Sequence, residues 1–145
     1  FWDLGPELTR PARSLKLWMS LQVMGSQAIG EVMDHGCAMS ELAEKRLRQC
    51  PGWEIVSPAQ LGIVNFRCVP QGVSDSQALD ALNQSLAQEI TASGYAQIFT
   101  TELNGKKVLR LCTIHPETTE EDICETIDRL THSQILGERY QNKAS

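Results

Sequence analysis

Apolar residues recur along this chain with two periods, one near 3.6 and one of 2, and the switches between them mark the expected elements. From about Thr9 the pattern is helical: Pro11 is tolerated in a first turn, Leu15, Trp18 and Leu21 follow at three-residue spacing, and Gly25 stops the series. Ile29, Val32, Met33, Gly36, Ser40, Ala43 and Leu47 then share one face of a second helix, which Pro51-Gly52 ends. Gly36 on that seam allows another backbone to come close.

The period then shortens. Trp53 to Val56 and Leu61 to Val69 read as strands joined at Ser57-Pro58, with Val64, Phe66 and Cys68 alternating against Ile63, Asn65 and Arg67. Ser74 with Gln77 forms a capping box before a helical stripe of Leu79, Leu82, Leu86 and Ile90 that ends at Gly94. Ala96 to Leu103 and Lys106 to Ile114 form a hairpin, since Asn104-Gly105 accepts the positive φ of a type I′ turn. Thr118 with Glu121 opens a last helix carrying Ile123, Ile127 and Leu130, and the segment after about Leu136 is polar.

This order predicts an α+β fold: a mainly antiparallel four-stranded sheet covered by helices, preceded by a two-helix arm. The expected division is an arm over 1–50, a small domain over 51–136 and a polar tail over 137–145. In the last strand Val108, Arg110, Cys112 and Ile114 face one way and Leu109, Leu111 and Thr113 the other, so both faces carry apolar groups. A two-layer domain buries only one of them, so the other is expected to pack on the arm or on protein outside this chain.

Composition narrows the function. The 145 residues, 41% of them hydrophobic, suffice for one core, and a net charge of -5 without a basic cluster argues against nucleic acid. No apolar run reaches membrane-spanning length, and the amino terminus lacks a basic region followed by an apolar core, which suggests a cytoplasmic protein. Cys37, Cys50, Cys68, Cys112 and Cys124 are odd in number and nowhere spaced Cys-x-x-Cys, as suits reduced thiols, and no spacing of His and Cys, including His35 with Cys37, supplies a metal site. Cys68 and Cys112 alternate into a sheet face and are expected to be buried and inert. Trp18 and Trp53 read as packing residues, and His115 as a polar residue at a strand end.

Arg110 stands out. It interrupts Lys107-Val108-Leu109-Arg110-Leu111-Cys112-Thr113-Ile114, where a permanent charge must be paired or solvated. The position calls for a carboxylate, which is either an Asp or Glu of the chain or a ligand.

Three segments carry a resemblance: Thr9-Arg10-Pro11-Ala12-Arg13-Ser14-Leu15-Lys16-Leu17-Trp18, Leu61-Gly62-Ile63-Val64-Asn65-Phe66-Arg67, and Leu103-Asn104-Gly105-Lys106-Lys107-Val108-Leu109-Arg110-Leu111-Cys112. In order and in wording they resemble the carboxy-terminal part of the group II pyridoxal-phosphate-dependent amino-acid decarboxylases. This family includes the aromatic-L-amino-acid, histidine, glutamate and diaminobutyrate enzymes. The resemblance runs from about Phe1 to about Leu130 and includes Pro116-Glu117-Thr118-Thr119-Glu120-Glu121-Asp122-Ile123.

The resemblance implies a carboxy-lyase of amino-acid metabolism as the parent protein. This chain would be its small carboxy-terminal domain, helping to close the active site, and the parent would be a homodimer. The family's cofactor-binding lysine follows a histidine in the large domain. No His-Lys pair occurs here, and neither Lys16, Lys106 nor Lys107 resembles that lysine. The resemblance therefore implies that pyridoxal phosphate and catalysis belong to the missing large domain, with no catalytic, cofactor-binding or metal-binding residue in this chain. Arg110 matches a family arginine that contacts the substrate carboxylate, and Arg10 and Arg13 match basic positions of the helix bridging the two domains, where a solvated face is the plainer expectation. The competing expectation is a stand-alone module that binds a small carboxylate at Arg110, or that dimerises, without catalysis.

Overall fold

The computed structural model describes residues 12–140. Contacts divide the chain into two compact units, Phe1–Val32 and Met33–Ser145.

Helix α1 spans Arg13–Leu47 and is broken at Gly25, whose φ of 81° and ψ of 159° are not helical. The expected pair of helices is thus present, divided at the expected glycine, because only glycine enters that region freely. In the first unit Leu17, Trp18 and Val23 are exposed, so Trp18 is not the packing residue its spacing suggested. The start of that helix near Thr9, Arg10 and the side chain of Arg13 lie outside the described residues.

In the second unit the sheet is wholly antiparallel, in the order β1-β2-β4-β3, where β1 is Trp53–Gln60, β2 Ile63–Cys68, β3 Phe99–Leu103 and β4 Lys106–Cys112. Helices α2 (Ser76–Ala92), α3 (Glu120–Thr131) and α4 (Gln134–Tyr140) follow β2 and β4. Val64, Phe66, Cys68, Leu109 and Leu111 of the inner sheet face join Met39, Ala43 and Leu47 of α1, Leu82, Leu86 and Ile90 of α2, and Ile123, Ile127 and Leu130 of α3 in one core. Each large side chain fully buried there contributes roughly 1.5–3 kcal/mol. The stretch of α1 from Met33 to Leu47 lies in this unit.

Gly36 does what its seam position suggested. An added Cβ would lie 2.9 Å from the Thr113 carbonyl oxygen, so only glycine lets α1 approach β4 this closely. Thr113 fastens the junction, donating its hydroxyl to the Gly36 carbonyl at 2.7 Å.

Local details differ from expectation where turn chemistry misled. The Asn104-Gly105 turn is present, with φ of 53° and 69°. Ser57-Pro58 is not a turn: it stays in β1, where the pairing is irregular on either side of Ser57 and proline's missing donor is tolerated. The chain reverses instead at Leu61-Gly62, both at positive φ. The helix caps sit one residue later than read, at Asp75 and at the Thr119/Asp122 capping box. Helix α4 occupies the start of what was read as a polar tail, because Leu136 is buried against the core.

Candidate functional site

The face of the sheet opposite the core is the candidate site. Alternation along β4 and the two residues after it buries Leu109, Leu111 and Thr113 and exposes Arg110, Cys112 and Ile114. Cys112 thus departs from the expected burial, being on the outer parity. At the other end of this face Val108 and Arg67 are buried.

Arg110 lies on β4, one of the two inner strands of the sheet. Its ladder partner on β2 is Asn65 and its partner on β3 is Phe99, which is 55% exposed. The side chains Arg46, Arg48, Arg67 and Arg129 each bridge a carboxylate, of Asp128, Glu44, Asp80 and Glu125 in turn. Among the arginines with described side chains, Arg110 is the one without such a bridge. The internal carboxylate that competed as its partner is not found among the described residues.

The strand arginine that does have an internal carboxylate is Arg67, singled out by nothing in the sequence pattern except its place between Phe66 and Cys68. It is 2% exposed, and its Nη2 lies 2.7 Å from Asp80 Oδ1. The same oxygen accepts from the Lys107 backbone N–H at 3.0 Å, so one carboxylate ties β2, β4 and α2 together. An aspartate one turn beyond the helix start, opposite a strand arginine, was the available signal.

The other candidates serve structure. His115 is exposed and accepts the Glu117 N–H at Nδ1. His35 Nε2 lies 2.7 Å from the Thr118 carbonyl oxygen. Trp53 packs on Phe66 with ring centroids 5.7 Å apart, as its strand position suggested. Cys68 is buried, and desolvation pushes its thiol up to about 12.

The described residues do not fit a pyridoxal-phosphate site on their own. Lys16, Lys45 and Lys106 are exposed and Lys107 donates through Nζ to Gln84. The free amides at the start of α2 and α3, which could cradle a phosphate, are already capped by Asp75 and by Thr119. Among the described residues no group of three His, Cys, Asp or Glu side chains could hold a metal, and no helix is long and apolar enough to cross a membrane.

An aromatic-L-amino-acid decarboxylase of Bacillus atrophaeus is 41% identical over 130 residues, which are 90% of this chain and 27% of that protein. An L-2,4-diaminobutyrate decarboxylase of Acinetobacter baumannii is 31% identical over 91% of this chain and 25% of its own length. The chain resembles one part of the group II pyridoxal-phosphate-dependent decarboxylases. It spans about a quarter of the length of these curated relatives, as expected of a carboxy-terminal domain. No family model matches. The fold agrees as well: the crystal structure of Oryza sativa TDC with PLP and tryptamine superposes with a TM-score of 0.77 at 24% identity, covering 92% of this chain and 29% of that one.

Proposed function

We propose that this chain is the carboxy-terminal domain of a pyridoxal-phosphate-dependent amino-acid decarboxylase and that it presents Arg110 to the α-carboxylate of the substrate. The observation that carries the reading is the contrast among arginines. Four of the five described side chains have a carboxylate within the chain, while Arg110 stands on the exposed face of an inner strand, available to one from outside.

A guanidinium supplies two parallel N–H donors that match a carboxylate, and on a rigid strand it loses little freedom on engaging one. Bound pyridoxal phosphate would supply the electron sink for loss of carbon dioxide, and the large domain of the parent would hold it. This domain binds and orients the carboxylate, and its exposed Phe99, Ile114 and Leu61 close one side of the site against water. The parent is a cytoplasmic homodimer in this reading.

The test compares the full-length parent with this chain, each supplied with pyridoxal phosphate. The reading expects carbon dioxide release and cofactor absorbance with the parent and neither with the chain. Cofactor absorbance or decarboxylation by the chain alone would overturn the division of labour. Binding of small carboxylates by the chain alone, weakened by Arg110→Ala, would favour a stand-alone module instead.

A further inference from the structure

Three buried side-chain nitrogen or oxygen atoms among the described residues have no hydrogen-bond partner: Arg46 Nε, Arg67 Nε and Asn65 Oδ1. The first two are donors on arginines already bridged to aspartates. Asn65 Oδ1 is the one acceptor, and so the one that a cation can satisfy. Its ladder partner across β2 and β4 is Arg110, for which no ion pair is found among the described residues. An orphaned acceptor and an arginine without an ion pair among the described residues therefore occupy paired positions on the outer sheet face.

The dimensions allow them to meet. Cβ atoms of directly opposed strand residues are roughly 4.5–5.5 Å apart, and an arginine Nε stands three bonds beyond its Cβ. The two side chains are not hydrogen-bonded in the structure, so a turn of the Arg110 side chain is the movement such a bond requires. Such a bond uses one of five guanidinium donors and leaves the outer pair for a carboxylate. Phe99 is the ladder partner on the opposite flank.

We propose that Asn65 is a positioning residue for Arg110: its Oδ1 accepts the Nε–H and holds the guanidinium fork pointing away from the sheet, toward the substrate carboxylate. This rests on the reading of Arg110 given under Proposed function. A leucine of the same size cannot accept, whereas an aspartate accepts more strongly.

The test uses the full-length parent with its cofactor and four variants, Arg110→Ala, Asn65→Leu, Asn65→Asp and Asn65→Leu combined with Arg110→Ala. Arg110→Ala should raise KM for the amino acid at least tenfold. Asn65→Leu should raise KM about three- to tenfold with kcat within twofold, Asn65→Asp should stay within twofold of the parent, and Asn65→Leu should add nothing once Arg110 is absent. Where the leucine variant does not fold, as judged by cofactor absorbance, Asn65→Ala takes its place with the same expectation. An unchanged KM in Asn65→Leu beside a raised one in Arg110→Ala overturns the positioning role and leaves Arg110 as the carboxylate ligand. An unchanged KM in Arg110→Ala overturns both. Equal effects of Asn65→Leu with and without Arg110 show a role through the fold and overturn the positioning role.

Discussion

Replacing Asp80 by alanine strands the most deeply buried cation among the described residues. Arg67 is 2% exposed and Asp80 33% exposed, so removal of the carboxylate leaves a guanidinium that water reaches only through the space vacated. Loss of one partner of a buried pair costs about 3–5 kcal/mol, and the partial exposure of Asp80 puts this site at the lower end, near 3 kcal/mol. The Lys107 N–H loses its acceptor as well, which adds about 1 kcal/mol. For a chain of this size the sum, about 4 kcal/mol, lowers the unfolding midpoint by about 8–16 °C. Urea and thermal unfolding of the chain, followed by circular dichroism, measure it. A loss below about 1 kcal/mol would refute the idea that Asp80 neutralises a buried charge. The apolar pair Arg67→Met with Asp80→Leu should recover most of the loss, because the desolvation cost of the ions goes with them.

The same pair shows how far the sequence could be read. Two arginines interrupt apolar strands, and the reasoning that a strand arginine needs a carboxylate holds for Arg67, which has Asp80, while the charge that drew notice was Arg110. Periodicity assigns a residue to a face but does not say where along that face a helix end supplies a partner. The faces themselves were legible: Leu109 and Leu111 are buried and Arg110 and Ile114 exposed as alternation requires. So was the Asn104-Gly105 hairpin, whose residue types state their backbone angles. The Leu61-Gly62 turn was not, because a leucine at φ of 51° carries no such label and the better-looking Ser57-Pro58 lies in an irregular stretch of β1. Alternation places Asn65 on the face it shares with Ile63 and Arg67; its orphaned oxygen emerges only once β2 and β4 are in register.

Gly36→Ala places a Cβ 2.9 Å from a backbone oxygen, so overpacking of about 1–3 kcal/mol should exceed the gain of nearly 1 kcal/mol in helix propensity, and chemical denaturation should show a net loss. The Ala59 N–H, and after it Arg48, hold the Glu44 carboxyl below its ordinary 4.5. Because the folded value is the lower one, the stabilisation is present above 4.5 and is lost as the pH falls through the folded value; Glu44→Gln should therefore show a shallower loss of stability on acidification than the native chain. A thiol reagent should modify exposed Cys112 in the folded protein and reach Cys68 only on unfolding. Between pH 9 and about 12 the unfolded Cys68 thiol ionises while the folded one stays protonated, so stability should fall with rising pH in that window, and less so in Cys68→Ala.

The claim that Arg110 reads a carboxylate is tested most directly by ligands that differ only in that group. An amino-acid substrate and the amine left after decarboxylation share every other atom that a pocket could recognise. In the full-length parent, Arg110→Ala should raise KM for the amino acid by about 10- to 150-fold, the worth of a hydrogen bond to a charged group, and leave the inhibition constant of the product amine within twofold. Equal weakening of both ligands, or of neither, would contradict the account.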